Sequence, residues 1–274
     1  MQGSGNWSPP TGALGRILTE AAVRVTELRR NAAGLERAAA DAVPPDRSLK
    51  HALRQEKVGV IAEVKRRSPS KGWIAEGLST VDQAHAYADG GAAAISVLTE
   101  PAHFDGSIDD LDAVVGDLEL PVLKKDFHID RLQLAEARAH GATAALLIVR
   151  ALDPQRLKVM IDAAVQLQLE TLVEVRDDTE LQRALEAGAE IIGINNRDLE
   201  TLLIDPTTSE RLLPKIPDGI VAVVESGISS MADVQRVGSL GADAVLVGSS
   251  LSSAEDPEAL VRQLASVPRV RRAH

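Results

Sequence analysis

Charged and amide side chains lie within or directly after several short apolar runs of this sequence. Burial of such groups in a strand costs free energy unless they have partners. Glu63 lies in one run and Lys65 directly follows it, so these two side chains share one face of a strand. Lys125 and Glu174 lie in further runs, and Asn195 and Glu225 directly follow two others. Carboxylates close to amines supply the bases and acids of proton transfer, so we interpret these six residues as a candidate catalytic set.

Each of these charges also has a structural interpretation. A single Lys or Glu at a strand end is commonly a solvated or salt-bridged residue of the rim. Glu63 with Lys65, or Lys125 with Glu174, could form structural ion pairs. However, so many interruptions at the same end of the same fold would bury a large number of charges without a purpose. Taken together they favour a functional site.

Two pairs of serine and glycine follow the last two apolar runs and indicate a phosphate site. Ser226-Gly227 follows one run and Gly248-Ser249 follows the other. Backbone N–H groups that glycine leaves accessible, serine hydroxyls and the start of a short helix all donate to phosphate oxygens. The structural alternative is a glycine that ends a strand in a tight turn. Two such pairs in succession favour phosphate, and Ser68, in the stiff and basic segment 68–72, is a third candidate donor.

The apolar runs number eight, and amphipathic helical stretches alternate with them. Each run is too short for a helix, is rich in Val, Ile and Leu and is apolar on both faces, as expected of parallel strands covered by helices. The runs are Gly59–Val64, Ala94–Leu98, Pro121–Lys125, Ala144–Val149, Thr171–Val175, Ile191–Ile194, Ile220–Val224 and Ala244–Val247. This alternation predicts an α/β fold, a closed (β/α)8 TIM barrel, in which the carboxyl ends of the strands share one rim. An open doubly wound sheet is the alternative, but no Gly-x-Gly-x-x-Gly follows the first run.

The segment before the first strand predicts a helical extension of the barrel. Leu14, Leu18, Ala21, Val25 and Leu28 form one apolar stripe, and the prolines at 44 and 45 separate this helix from a short second one near 48–54. We expect a disordered N-terminus over 1–10 and a single barrel domain over 11–266 that includes the helices of about 11–55. A frayed tail is expected over 267–274.

Composition excludes several classes of protein and of site. The 274 residues carry a formal net charge of −10, which argues against nucleic acid as a partner. No apolar run is long enough to cross a membrane. We expect the protein to be a monomer, with a weak dimer as the alternative. Cysteine is absent, which fits a cytoplasmic protein and excludes thiol chemistry. The six histidines lack metal-ligand spacing, so we expect neither a metal nor an organic cofactor. The acidic run Asp109, Asp110 and Asp112 is interpreted as a solvated helix start.

The motifs that contain these site residues resemble those of the indole-3-glycerol phosphate synthase family. The match begins with Glu63-x-Lys65-x-x-Ser68-Pro69-Ser70-Lys71-Gly72 and covers about residues 12–266. Further motifs follow in the family's order: Ser96-Val97-Leu98-Thr99, Phe104-x-Gly106-Ser107, Lys125-Asp126-Phe127, Val173-Glu174-Val175, Ile194-Asn195-Asn196-Arg197-Asp198-Leu199, Glu225-Ser226-Gly227-Ile228 and Gly248-Ser249-Ser250.

The resemblance implies a sugar-phosphate substrate, 1-(2-carboxyphenylamino)-1-deoxyribulose 5-phosphate. It also implies the products indole-3-glycerol phosphate, carbon dioxide and water. The reaction closes a ring between the anthranilate carbon and the ribulose carbonyl and then loses carbon dioxide and water. It would be a carboxy-lyase of tryptophan biosynthesis.

The resemblance also implies a role for each site residue. Lys125 would be the general acid at the ketone, Lys65 would bind the anthranilate carboxylate and assist dehydration, and Glu174 would be the general base of the second stage. The residues that orient substrate hydroxyls and lysines would be Glu63, Asn195 and Glu225, with support from Arg197. The phosphate donors would be Ser68, Ser226, Gly227, Gly248 and Ser249. The apolar slot for the anthranilate ring would be formed by Pro69, Phe104, Phe127, Leu146, Leu199 and Leu202.

Two other interpretations differ from this one in testable residues. A related isomerase of sugar-phosphate barrels, phosphoribosylanthranilate isomerase, would use a Cys and Asp acid–base pair, but this chain has no Cys. A barrel that only binds would be expected to have lost its catalytic groups, yet all six of the candidate set are present. For Phe127, ordinary packing between barrel and helix remains an equal alternative.

Overall fold

The chain closes a barrel of eight parallel strands, as the sequence predicts. The computed structural model describes residues 10–68, 72–73 and 79–272, and the side chains of all of these except Ser68 and Trp73. The barrel strands are β1 (Gly59–Val64), β2 (Ala94–Leu98), β3 (Val122–Lys125), β4 (Ala144–Ile148), β5 (Glu170–Val175), β6 (Ile191–Asn195), β7 (Val221–Glu225) and β8 (Ala244–Val247). Neighbours along the chain are neighbours in the sheet, and β8 pairs with β1 to close it. A two-stranded antiparallel ribbon, Arg67–Ser68 with Gly72–Trp73, follows β1.

Helices cover the outside of the barrel and leave each strand with two buried faces. They are α1 (Gly12–Leu28), α2 (Ala32–Asp41), α3 (Leu49–Ala52), α4 (Thr80–Asp89), α5 (Pro101–Phe104), α6 (Ile108–Asp117), α7 (Arg131–Ala139), α8 (Pro154–Gln166), α9 (Asp178–Ala187), α10 (Thr207–Leu212), α11 (Met231–Ser239), α12 (Ser249–Ser252) and α13 (Pro257–Leu264). Short 3₁₀ turns occupy 29–31, 149–151 and 213–215. All residues of β1, β2, β4, β6, β7 and β8 are buried, so the continuous apolar runs reflect burial on both faces.

Local capping explains where several helices begin and end. The Asp153 carboxylate accepts the backbone N–H of Arg156 at the start of α8, and Pro154 takes the first helical position. Gly188 ends α9 with a φ of +88°, a conformation that side chains disfavour. These signals lie just outside the strands, so they fix the strand boundaries as well.

The N-terminal extension is divided differently from the prediction. Leu14, Ala21 and Val25 are buried as expected, and Ile17 joins them. The first helix, however, stops at Leu28, and α2 begins after a 3₁₀ turn that ends at Asn31, whose backbone is not helical. Asparagine competes with the helix for backbone hydrogen bonds, which explains a break well before the prolines.

Each helix of the extension contacts a different part of the barrel. The Thr11 hydroxyl donates to Glu200 after β6, and Arg24 contacts acids after β2 and β3, so α1 follows the C-terminal rim. Helix α2 packs along α7. The backbone N–H of Lys50, in α3, donates to Glu170 at the start of β5, on the opposite end of the barrel.

The expectation of a frayed tail is wrong for residues 267–272. Arg269 and Arg272 both form ion pairs with Asp243 at the start of β8, and Arg272 is buried. The guanidinium of Arg272 also donates to the carbonyl oxygens of Gly241 and Ile220. A buried acid at a strand start needs compensating cations, and the basic end of the chain supplies them. Of the expected disordered N-terminus, residues 1–9 lie outside the described residues.

Among the helices that the structure describes, none has the length and apolar character that crossing a membrane requires.

Candidate active site

The register of the barrel places the candidate catalytic side chains on its inner face. Glu63 pairs with Ser96 of β2, Lys125 pairs with Leu98, and Glu225 pairs with Asn195. Because side chains alternate along a strand, residues two apart share a face, and Glu63 and Lys65 point the same way. The side chains therefore converge at the carboxyl ends of β1, β3, β5, β6 and β7.

Four of these residues form a chain of alternating charge. The Lys65 ammonium lies 2.5 Å from Glu63 Oε1, and the Lys125 ammonium lies 3.7 Å from Glu63 Oε2. Lys125 lies 3.3 Å from Glu225 Oε2 as well. We call this set, Lys65, Glu63, Lys125 and Glu225, the ion-pair chain. Both lysine side chains keep 14 % of their surface exposed, so they can reach a bound molecule.

The ion-pair chain favours the charged forms of Lys125 and Glu63. Burial opposes the charge of Lys125, but the carboxylates of Glu225, Glu63 and Glu174 outweigh it and raise the pKa of this amine above its ordinary value. Burial would raise the pKa of Glu63, yet the ammonium groups of Lys65 and Lys125 hold it below the ordinary value. Lys125 therefore holds a proton that it can donate.

Glu174 differs from the other acids of the site. In the described part of the chain it forms no ion pair within 4 Å, so the structural pairing of Lys125 with Glu174 is absent. Burial, reinforced by the charge of Glu225, raises the pKa of Glu174 to about 8, although Lys125 and the Asn195 amide favour the anion. Burial also raises the pKa of Glu225 against the pull of Lys125. Two buried acids close to each other oppose each other's charge, which favours the protonated form of Glu174.

The serine–glycine loops lie beside this cluster and line the same cavity, and their binding of phosphate stays a prediction. Ser226 and Gly227 have φ angles of +65° and +78°, so two consecutive residues after β7 have left-handed backbone. The side chain of Asn196 donates to the carbonyl oxygen of Ser226 and accepts from the N–H of Ser209, which fixes this loop to the segment after β6. A serine with positive φ is strained, and such strain is typical of functional loops.

Gly248 is constrained by the ion-pair chain. A Cβ atom at this position would lie 2.4 Å from Glu63 Oε1 and 3.2 Å from the Lys65 ammonium. Its φ is −121°, so the backbone conformation does not require glycine. The lack of a side chain leaves room for the Glu63–Lys65 pair.

A cavity of about 310 Å³ opens in front of these groups and joins the charged cluster to an apolar wall. Phe104 and Phe127 lie on this wall with ring centroids 6.2 Å apart. Phe127 also belongs to the hydrophobic core, as its packing interpretation requires, and its contact with a substrate ring stays a prediction. The predicted residues that line the cavity are Glu63, Lys65, Phe104, Lys125, Phe127, Leu146, Glu174, Asn195, Arg197, Leu199, Glu225, Ser226, Gly227, Gly248 and Ser249.

Three predicted residues are not placed in the cavity wall. Leu202 does not line it; its carbonyl oxygen accepts a hydrogen bond from Arg197, and Ile204 takes a place in the wall instead. Leu202 has a φ of +64°, so the backbone turns at this residue, and Ile204 rather than Leu202 reaches the cavity wall. The side chain of Ser68 and all of Pro69 lie outside the described residues.

Sequence reasoning missed residues that carry no polar signal. Leu98, Ile148, Ile228 and Leu246 line the cavity, but in the sequence they resemble any other core position. For Ile148, Ile228 and Leu246, the inward orientation could be inferred only from a spacing of two from another residue of the cavity wall, as Leu246 is from Gly248.

The interpretation of Asp110 as a solvated residue is also wrong. Its side chain is 14 % exposed, and Asp110 Oδ2 accepts a hydrogen bond of 2.6 Å from Arg66, the residue after Lys65. Asp110 also accepts from the hydroxyls of Thr80 and Ser107. Burial raises the pKa of the carboxyl, but these donors outweigh it and hold the pKa below its usual value.

One group of possible metal ligands occurs in the described part of the chain, outside the cavity. Glu20, Glu100 and His103 bring ligand atoms within 4.8 Å of one another. Glu100 already accepts hydrogen bonds from Arg24 and from the backbone N–H of Ala102 and of His103. Its charge is therefore compensated by the protein.

The chain is similar to one family over most of its length. The family model described as "Indole-3-glycerol phosphate synthase" matches residues 14–264. A relative of that name from Mycolicibacterium smegmatis is 48 % identical over 225 residues, which are 82 % of this chain and 83 % of the relative. A relative of the same name from Mycobacterium tuberculosis is 46 % identical over 245 residues, which are 89 % of this chain and 87 % of the relative.

Solved structures support the fold at much lower identity. The 3-hexulose-6-phosphate synthase of Salmonella typhimurium aligns with a TM-score of 0.62 at 19 % identity, covering 76 % of this chain and 97 % of that one. The thiamine phosphate pyrophosphorylase of Pyrococcus furiosus aligns with a TM-score of 0.58 at 18 % identity, covering 77 % of this chain and 95 % of that one. At such identity the likeness concerns the barrel alone.

Proposed function

Since the chain belongs to the indole-3-glycerol phosphate synthase family, we propose that the ion-pair chain and Glu174 carry out the reaction of that family in the cavity described above. The chain is a carboxy-lyase of tryptophan biosynthesis. It converts 1-(2-carboxyphenylamino)-1-deoxyribulose 5-phosphate into indole-3-glycerol phosphate, carbon dioxide and water. The observation that carries the assignment of residues is the alternation of Lys65, Glu63, Lys125 and Glu225 at one end of the cavity.

Ring closure needs a proton at the ketone oxygen. The anthranilate carbon that bears the carboxylate attacks the ketone carbon, and the carbonyl electron pair moves to oxygen. Lys125 donates the proton that turns this oxygen into a hydroxyl. An alkoxide is a stronger base than an amine, so the transfer is favourable even though the neighbouring carboxylates raise the pKa of Lys125.

Loss of carbon dioxide and then of water completes the reaction. Cleavage of the bond to the carboxylate returns its electron pair to the ring. Lys65 pairs with the carboxylate before this step and then protonates the departing hydroxyl, which leaves as water. Glu174 takes the proton that must be lost when the double bond of the indole forms.

The remaining lining residues hold the substrate. The loops at Ser226-Gly227 and Gly248-Ser249 donate to the phosphate, in the position that many barrels use for this purpose. Phe104, Phe127 and Leu146 contact the anthranilate ring, and Arg197 supports the network after β6. Acid, base and cations are thus all side chains of the protein, so we propose that turnover continues in buffer containing a metal chelator.

The assignment of Lys125 is tested by the variant Lys125→Ala. We expect a loss of kcat of at least about 10²-fold, within the range of about 10²–10⁴ for a general acid, with the circular dichroism spectrum unchanged. The assay follows indole formation by fluorescence in metal-free buffer. Lys158→Ala, on the exposed face of α8, is the matched control and keeps full activity. Retention of half of the normal kcat in Lys125→Ala would remove this residue from the mechanism.

We also propose that the protein is a cytoplasmic monomer. The absence of cysteine fits a reducing compartment. Light scattering at several concentrations measures the mass, and a stable dimer would contradict the proposal.

A further inference from the structure

Gly193 occupies an inward-facing position in the middle of β6, next to the acids of the site. It pairs with Glu174 of β5 on one side and with Val223 of β7 on the other. Asn195, two residues further on, lines the cavity, so a side chain at position 193 would also point into the barrel interior. Its φ is outside the left-handed region, so any residue could adopt this backbone. A glycine in a strand interior weakens the strand and commonly marks a site where another group approaches the backbone closely.

The space in front of Gly193 is filled by the carboxylate of Glu225. A Cβ atom at position 193 would lie 2.2 Å from Glu225 Oε1 and 3.3 Å from its Cδ. Glu225 is 2 % exposed, and its other oxygen, Oε2, lies 3.3 Å from the Lys125 ammonium. Among the described residues, Oε1 is buried and has no hydrogen-bond partner. The carboxylate of Glu225 therefore lies against Gly193, because glycine has no Cβ atom to occupy that space. On its other side the carboxylate forms the ion pair with Lys125.

We propose that Gly193 is a positioning residue for the reaction, because it leaves the space that lets Glu225 hold the ammonium of Lys125. The proposal rests on the roles given to Lys125 and Glu225 in the proposed function. With a methyl group at position 193, the carboxylate has to move. Of the two ion pairs that Lys125 forms within 4 Å in the described part of the chain, it then keeps the one with Glu63, at 3.7 Å. A Cβ atom at Gly248 would collide with Glu63 in the same way, but Gly248 also belongs to a loop proposed to bind phosphate. A variant at Gly193 therefore changes the position of the acid without changing a phosphate loop.

The first test is the variant Gly193→Ala, with Gly116→Ala as the matched control. Gly116 lies in α6, and a Cβ atom there meets nothing within 4 Å. We expect kcat/KM of Gly193→Ala to fall by about 10²-fold, the size of effect that a misplacement of about 1 Å produces. We also expect the alkaline limb of its pH profile to move toward neutral pH, because Lys125 loses an anion that keeps it protonated. A normal kcat/KM and an unchanged profile would overturn the proposal.

A second set of variants separates a collision with Glu225 from general crowding of the barrel. In Glu225→Asp the carboxylate is one methylene shorter, so adding Gly193→Ala to this variant should cost less than about three-fold. Full multiplication of the two losses would mean that the residues act independently, and it would overturn the proposal. If Gly193→Ala fails to fold, the melting temperature of Gly193→Ala/Glu225→Ala decides. Recovery to that of Glu225→Ala supports the collision, and no recovery rejects it.

The same variants distinguish this inference from the proposed function. Full activity in Glu225→Gln would show that Glu225 has no role in the reaction, which is a failure of the proposed function. A damaged Glu225→Gln together with a normal Gly193→Ala would leave the function intact and reject the role of Gly193 alone.

Discussion

At the scale of single residues, Glu174 is the acid of the site that can gain and lose a proton during each turnover. Its neighbours Glu63 and Glu225 are held by lysines, whereas Glu174 forms no ion pair with either lysine in the described part of the chain. An acid with a pKa of about 8 gains and loses protons close to physiological pH. This is the behaviour required of a group that takes up a proton in each turnover and releases it afterwards.

The variant Glu174→Gln tests this role. We expect kcat to fall by about 10²-fold or more with KM within about three-fold of normal, because the amide has nearly the same shape but cannot accept the proton as a carboxylate does. Glu186→Gln, on the exposed side of α9, is the matched control. Near-normal kcat in Glu174→Gln would contradict a catalytic role for this residue.

The pH dependence of the enzyme gives an independent prediction about Glu174. A general base works when ionised, so kcat/KM should rise as the pH increases through about 8, and this limb should disappear in Glu174→Gln. Stability should change in the opposite direction. The folded state binds the proton of Glu174 more tightly than the unfolded state, so the free energy of unfolding falls as the pH rises from about 4.5 to about 8.

Melting temperatures check this second part. Glu174→Gln should melt at a higher temperature than the unmodified protein at pH 9, because Gln carries no charge to bury. A lower melting temperature at that pH would mean that the carboxylate stabilises the fold and is an ion-pair residue after all.

At the scale of elements, the loops after β7 and β8 are expected to bind inorganic phosphate in competition with the substrate. Their contribution is best tested by Ser249→Ala, because a side chain at Gly248 would collide with Glu63 and disturb the ion-pair chain as well. Loss of one hydroxyl that donates to a charged group should raise the Ki of phosphate by about ten-fold. Ser239→Ala, at the end of α11, is the control. Purely non-competitive inhibition would place the phosphate elsewhere.

Helix α1 connects the extension to two segments that carry site residues. The Arg24 guanidinium lies 2.7 Å from Asp126, between Lys125 and Phe127, and 3.3 Å from Glu100, which caps the helix that ends at Phe104. Burial raises the pKa of Asp126, but Lys124 and Arg24 outweigh it and lower the pKa below its usual value. Arg24 thus compensates charges next to both phenylalanine rings of the cavity.

We therefore expect Arg24→Met to damage activity as well as stability. The free energy of unfolding should fall by about 2 kcal/mol, less than for a fully buried pair because Arg24 remains 24 % exposed. kcat/KM should fall by about ten-fold. Arg29→Met removes a more exposed ion pair of the same region, with Asp130, and is the matched control. Equal effects of the two variants would show that α1 contributes stability only.

The same elements show how far the sequence alone leads. The eight strands are predictable to within a residue or so because burial on both faces makes each of them a continuous apolar run. The charged members of the site are predictable because they interrupt those runs. Ile204 and Leu202 are not, because which of two apolar residues lines the cavity depends on a turn with positive φ at Leu202. Nor is Asp110, whose partner Arg66 comes from a distant part of the chain.

At the scale of the whole molecule, the two ends of the barrel hold different buried ion pairs. The substrate cavity lies at the carboxyl ends of the strands, whereas Arg272 and Asp243 lie at the start of β8. Arg272→Ala should lower the free energy of unfolding by about 1–3 kcal/mol, because it leaves the carbonyl oxygens of Gly241 and Ile220 without their donor. kcat should not change. The exposed Arg271→Ala is the control in a thermal melt, and a loss of kcat in Arg272→Ala would show coupling between the two ends.

Closure of the barrel by β1 and β8 has a consequence for the way the protein is made. The hydrogen-bonding edge of β1 that faces β8 stays unpaired until β8 has left the ribosome, since the other six strands of the barrel are synthesised between the two. An unpaired edge is a template for aggregation, and contacts between distant segments form slowly. Nascent chains of this protein should therefore depend on chaperones until Val247 has emerged, and the pairing of Asp243 with the end of the chain should be among the last steps of folding.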